Sequence, residues 1–192
     1  MHLHEPNERI TSADEALKML KEGNARYLKG ELCAKDDYKE ERDVLSKGQV
    51  PYAVILCCSD SRVAPEIYFD ERLGDIFVIR NAGNVIDEVV MGSIEYGAEH
   101  LGSPLIVVVG HTSCGAVTAA CEGGDLPRNI SAIVRRIQPS IQEGMSVDEV
   151  AIENAKAMAK QIADDEMIRH CGTKVVSALY DILSGEVKWL SE

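Results

Sequence analysis

Long apolar runs are missing from this 192-residue chain. None approaches the about 18 residues of a membrane-spanning helix, so a membrane is not the expected setting. The first residues, Met1-His2-Leu3-His4-Glu5, lack the basic-then-apolar order of a secretory leader, and the expected location is the cytoplasm. Positive charge is scarce. Lysine and arginine total 20 against 32 aspartates and glutamates, a net charge of −12. That balance speaks against nucleic acid or an anionic lipid surface as a general partner. Neither glycine-rich phosphate signature, GxGxxG nor GxxxxGK[ST], occurs, and there is no internal repeat or low-complexity segment.

What is present is ordinary in bulk: 45% apolar residues and 27% charged. The length suits one domain over 1–192, able to bury roughly 70% of its unfolded surface without disulfides. Six cysteines in a reducing compartment are then metal ligands or core residues. Cys58 and Cys114 fall to the first group below. Cys33, Cys57, Cys121 and Cys171 fall to the second, with Cys57 on the opposite strand face from Cys58.

Residues 1–11 are polar and read as a loose arm. Ser12 and Glu15 form a capping box that opens a helix carrying Leu17, Leu20 and Tyr27 and closing at Gly30. A second, charged helix is expected over 37–47. This helical arm, about 12–47, could pack on its own domain or on a partner. Apolar runs then give strands at 52–57, Ile76–Ile79, 105–109 and Val175–Tyr180, with a last strand Val187–Leu190 after the Ser184-Gly185 turn. Helices are expected at 87–101, from Gly115 to Cys121, at 128–143, and from a capping box at Ser146 and Glu149 to about 163. Alternating strands and helices imply an α/β fold, a mostly parallel sheet flanked by helices with an antiparallel edge strand.

Two strand ends carry the chemistry. Cys58-Ser59-Asp60-Ser61-Arg62 follows the first strand, and His111-Thr112-Ser113-Cys114 follows the third. Parallel strands end on one sheet edge, so Cys58, His111 and Cys114 can converge. Two thiolates and an imidazole suit Zn²⁺, and they leave one tetrahedral position open, as a catalytic site does. Zinc polarises a bound water so that hydroxide forms near neutral pH. In an extended loop Asp60 and Arg62 share a side with Cys58. Asp60 could then orient that hydroxide, with Arg62 holding Asp60 ionised through a bidentate pair. The plainer alternatives are a loop salt bridge for Asp60–Arg62 and core packing for His111 and Cys114. HxxC alone is a weak signal. HxxC and CxDxR at the ends of two apolar strands make a strong one.

At these residues the sequence resembles the β-class carbonic anhydrases. The likeness is carried by Cys58-Ser59-Asp60-Ser61-Arg62-Val63, Arg80-Asn81-Ala82-Gly83-Asn84, Ser93-Ile94-Glu95-Tyr96, Gly110-His111-Thr112-Ser113-Cys114-Gly115-Ala116-Val117 and the tail Tyr180–Gly185, and it runs over roughly 12–192. It implies one zinc per chain on Cys58, His111 and Cys114, an Asp60–Arg62 dyad, reversible hydration of CO₂ to bicarbonate and a proton, and a homo-oligomer, dimer or tetramer. The plant-like branch lines its pocket with a glutamine, a phenylalanine and a tyrosine, partly from the neighbouring subunit. Gln49, Phe77 and Tyr96 match them; their plain readings are a surface turn and core packing. The other branch carries a tryptophan three residues before the first zinc cysteine, part of a regulatory bicarbonate site; Ile55 stands there instead. Two rivals share the residues: a CS₂ or COS hydrolase on the same scaffold, and a non-catalytic zinc module, which requires a fourth protein ligand.

Overall fold

The computed structural model describes residues 8–35 and 38–191. Five strands form one sheet: β1 (Ala53–Cys58), β2 (Ile76–Asn81), β3 (Leu105–His111), β4 (Lys174–Tyr180) and β5 (Val187–Ser191). Their order is β2-β1-β3-β4-β5. The first four are parallel, and β5 returns antiparallel on β4. After β1 the chain builds outward to β2, then crosses back to place β3 on the other side of β1. The C-terminal ends of β1 and β3 therefore flank a topological switch point, where open α/β sheets bind ligands.

The strands read as continuous apolar runs because helices cover both faces. One face carries Ala53, Ile55 and Cys57 with Leu105, Val107 and Val109, packed under helix α1 (Ala13–Lys29) through Ala16, Leu17 and Leu20. The other carries Val54, Leu56, Ile106 and Val108. Over it lie Val90 and Ile94 of α4 (Glu88–Glu95), and Ala155, Met158, Ala159 and Ile162 of α7 (Val147–Ala163). A third cluster closes the C-terminal edge around Cys58 and Cys114, using α5 (Gly115–Glu122) and α6 (Arg128–Ile137). Among the described residues no helix is long and apolar enough to cross a membrane.

The N-terminal helix packs on its own chain. Ser12 caps it by accepting from the Glu15 N–H, and Gly30 ends it in the left-handed conformation. Gly23 faces the carbonyl oxygen of Phe69 so closely that a Cβ would sit 1.7 Å from it. Buried Asn24 ties the helix to the last hairpin: its amide donates to the carbonyls of Tyr68 and Gly185, and its oxygen accepts from the Val187 N–H. Residues 1–7 of the expected loose arm, and residue 37 of the expected second helix, lie outside the described residues; α2 spans Tyr38–Leu45.

Several boundaries differ from expectation. Cys58 is the last residue of β1, not the first of the loop, and β2 runs on to Asn81. The helix expected over 87–101 is α4 continued by a π-turn at Tyr96–His100. The one expected over 128–143 stops at Ile137, because Pro139 forces a single 3₁₀ turn over Gln138–Ser140. Two short helices were not anticipated, α3 (Pro65–Tyr68) and α8 (Glu166–Cys171). Cys33 and Cys57 are buried as expected for core residues, but Cys121 is exposed at the end of α5 and Cys171 only half-buried.

Candidate metal centre

The sheet delivers three ligand groups to one point. β1 ends on Cys58 and β3 on His111, and Cys114 stands at the cap of α5 three residues beyond. Cys58 Sγ, Cys114 Sγ and a ring nitrogen of His111 all lie within 4.8 Å of one another, and all three residues are buried. Among the described residues no fourth cysteine, histidine or acid joins the group. A closed structural site would need one.

The histidine fits a metal. Nδ1 lies 2.9 Å from the Thr112 carbonyl oxygen, which can only accept, so Nδ1 carries the proton. Nε2 then presents a lone pair, and it is buried with no hydrogen-bond partner. A buried polar atom left so is costly unless something occupies it. A ring N–H donated to a backbone carbonyl is also how metal-binding histidines are oriented.

The thiols fit as well. The Cys58 pKa falls to about 4, first because the Cys114 thiol hydrogen-bonds to it, and also because the Gly83 N–H donates to its sulfur at 3.3 Å. Cys114 in turn keeps its proton more firmly. Cys57 differs entirely: burial pushes it up to about 12 on the far face of the strand.

Asp60 and Arg62 form a bidentate pair, Nε to Oδ1 at 2.9 Å and Nη2 to Oδ2 at 2.7 Å. The Arg62 N–H adds a third bond to Oδ1 at 3.0 Å. The guanidinium holds the Asp60 carboxyl well below the usual carboxylate range. The same Nη2 also reaches the Ser113 carbonyl at 3.4 Å, tying the pair to the second ligand loop.

Gln49, Phe77 and Tyr96 lie elsewhere in this chain. Gln49 precedes β1 and lines a surface groove of about 610 Å³ with Arg42, Leu45, Gly48 and Leu73. Phe77 is paired with Val54, four residues before Cys58, a distance of about 13 Å along the strand. Its ring centroid lies 6.1 Å from that of Tyr96, which is 46% exposed. The two aromatic rings thus meet each other, near the opposite end of the strands from the metal-competent group.

Sequence reasoning missed the supports around the ligands. Arg80 donates to the carbonyls of Cys58 and Asp60 at 3.0 and 2.8 Å. Gly83, at φ 77°, brings its N–H to Cys58 while its carbonyl accepts from buried Asn154 at 3.0 Å. Asp148 accepts from the Ser113 N–H at 2.8 Å. Arg80 and Gly83 lie inside the Arg80–Asn84 stretch that carries the family resemblance, with no role of their own expected there, and Asp148 falls inside the Ser146–Glu149 capping box that opens α7.

Known proteins match most of the chain. The family model described as "Carbonic anhydrase" matches residues 53–187. The chain is 43% identical over 189 residues to carbonic anhydrase 2 of Mycobacterium tuberculosis, covering 91% of each. It is 46% identical over 156 residues to a carbonic anhydrase of Mycolicibacterium smegmatis, covering 77% of this chain and 76% of that one. Among solved structures, a tetrameric β-carbonic anhydrase of Sordaria macrospora superposes with a TM-score of 0.75 at 25% identity, covering 92% of this chain and 97% of the other. The β-carbonic anhydrase of Coccomyxa in complex with acetazolamide gives 0.72 at 26% identity, covering 91% and 86%.

Proposed function

The chain belongs to the carbonic anhydrases of the β class, and from that premise we propose that it hydrates CO₂ reversibly to bicarbonate and a proton with one Zn²⁺ held by Cys58, His111 and Cys114. The observation that carries the reading is the three-ligand group with the unpartnered Nε2 of His111 at its centre. Zinc bound there supplies the Lewis acidity that yields an oxygen nucleophile near neutral pH. Two thiolates oppose that effect by feeding charge to the metal. The Gly83 N–H, donated to Cys58 Sγ, draws some of that charge back.

Asp60 accepts a hydrogen bond from the attacking oxygen and so fixes the lone pair turned toward the CO₂ carbon. Arg62 keeps Asp60 ionised and occupies both carboxylate oxygens from the outer side, which aims the carboxylate and prevents it from rotating freely. Thr112 holds the His111 ring in one tautomer. In this reading Gln49, Phe77 and Tyr96 serve the site of a second copy: the amide donates to a substrate oxygen, and the two rings form an apolar wall for CO₂. Their place at the far end of the strands supports this. So does β2, an edge strand whose Ile76, Phe77, Val78 and Ile79 are all only partly buried and would be covered in a homo-oligomer. The assembly is a dimer or a tetramer of copies of a single domain. A cytoplasmic setting belongs to the same reading, because thiolate ligands persist in a reducing compartment.

The test is stopped-flow CO₂ hydration with a pH indicator, on protein of known zinc content, at about pH 7 and 8.5. Turnover proportional to zinc is expected at both. Fully loaded protein without turnover would overturn the reading, and activity on CS₂ or COS would then name the replacement.

A further inference from the structure

The two ligands from the β3 side, His111 and Cys114, are separated by a turn of only two residues, Thr112 and Ser113. Ser113 has φ 54°, in the left-handed region that costs a residue with a Cβ roughly 1–2 kcal/mol. Such a peptide persists only where its surroundings over-determine it. Thr112 is fastened to the last hairpin: its N–H donates to the Tyr180 carbonyl at 3.0 Å, and its hydroxyl accepts from the Ile182 N–H at 3.0 Å. Cys114 is fastened to α5, where its carbonyl accepts from the Thr118 N–H and hydroxyl. Ser113 is fastened to α7 alone on its N–H side, by Asp148 Oδ1 at 2.8 Å.

Asp148 has a competing explanation. It lies in the first turn of α7, where the helix N-terminus favours negative charge. But the start of α7 is already secured by a complete capping box, with Ser146 accepting from the Glu149 N–H and Glu149 accepting from the Ser146 N–H. The helix does not need a second anchor, whereas among the described residues the Ser113 N–H has no other acceptor, and the Ser113 carbonyl has only the longer 3.4 Å contact from Arg62 Nη2.

We propose that Asp148 is a positioning residue of the metal site, holding the Ser113 peptide in its left-handed turn so that His111 and Cys114 present their ligand atoms to one ion. The inference rests on reading Cys58, His111 and Cys114 as metal ligands. Asp148 touches neither the ion nor the substrate. It acts through one backbone N–H, and without that bond Ser113 relaxes toward the right-handed basin and carries Cys114 away from His111.

Two variants test it, Asp148→Ala and Asp148→Asn, each stripped and reloaded with Co²⁺. The readouts are the cobalt d–d and thiolate charge-transfer bands, and Co²⁺ affinity by competition with a chromophoric chelator. Asp148→Ala is expected to bind Co²⁺ about 10- to 100-fold more weakly with shifted d–d bands, the usual cost of losing an outer-shell partner. Asp148→Asn keeps an oxygen that can accept from Ser113 and is expected to stay within about 3-fold of wild type, since the bond rather than the charge carries the effect. A purely structural Asp148 would lower the melting temperature of both variants and leave bands and affinity of the folded protein unchanged; that result overturns the proposal. Wild-type protein that shows no thiolate charge-transfer band would instead overturn the metal reading beneath it.

Discussion

Gly83→Ala tests whether the peptide facing Cys58 is clamped as tightly as the geometry implies. Gly83 sits at φ 77°, and an added Cβ would lie 2.8 Å from Ile137 Cδ1 and 3.2 Å from the Ala116 Cβ. The backbone strain costs roughly 1–2 kcal/mol. The Ile137 tip can swing aside at about 0.5–1.5 kcal/mol for a displaced rotamer. Ala116 has no such freedom, since it moves only with α5. The sum is about 2–4 kcal/mol. In a chain of this size 1 kcal/mol shifts the melting temperature by roughly 2–4 °C, so the variant should melt roughly 5–15 °C lower. Calorimetry on both proteins at equal concentration and full metal loading measures this. The same displacement pulls the N–H from Cys58 Sγ and should weaken metal affinity about 10-fold by chelator competition. A melting temperature within about 2 °C of wild type, with unchanged affinity, would refute the clamp.

Three further outcomes follow from the same geometry. Asp60→Ala should retain zinc, since Asp60 stands outside the three-ligand group, but lose at least about 100-fold in turnover; unchanged turnover in zinc-loaded protein would remove the dyad from the mechanism. Glu71, buried and beside Asp75, has its pKa raised to about 8, first by burial and then by that neighbouring charge. The folded state therefore holds a proton that the unfolded chain releases near pH 4.5, so this group's contribution is full below that value, declines as pH rises and is gone above about 8. Glu71→Gln should raise the melting temperature more at pH 9 than at pH 6; an equal shift at both would contradict it. Finally, Cys58→Ala and Gln49→Ala proteins, unfolded together and reassembled, should show more activity than the mean of the two parents, because a mixed dimer rebuilds one intact site from two copies; activity equal to that mean would place Gln49 outside the neighbouring site.

The sheet was legible because its central strands β1 and β3 are buried on both faces and so read as unbroken apolar runs, and because strand ends in a parallel sheet share an edge. Those two facts alone bring Cys58 to His111 and Cys114. Short elements were less legible. The four residues of α3 show no periodicity at all. α8 did carry a signal, Asp165 accepting from the Met167 and Ile168 N–H groups at its start and Gly172 in the left-handed conformation at its end, but its length hides it. The supports of the site were invisible for another reason. Asn154 to Gly83 and Asp148 to Ser113 are contacts between α7 and loops far away in sequence, and no local pattern specifies them. The placement of Phe77 is the opposite case: the start of β2 lies at the far edge from its end, so strand direction by itself separates Phe77 from Cys58.

Adjacent cysteines make the logic of the site plain. Cys57 and Cys58 share a strand, a residue type and nearly full burial, yet one thiol is raised to about 12 and the other lowered to about 4. Strand alternation supplies half of the difference. It turns Cys57 into the core under α1, among apolar atoms that disfavour a thiolate, and Cys58 toward the cluster beneath α5 and α6. The strand end supplies the other half. Beyond Cys58 the ladder stops, so polar groups from the following loops can serve the sulfur: the Cys114 thiol first, and with it the Gly83 N–H. One residue earlier, at Cys57, burial outweighs the nearby Arg80 charge and the thiol keeps its proton. Reactivity here is thus set by position in the sheet, and the switch point between β1 and β3 is the one place where the paired strands end side by side with a gap between their onward paths.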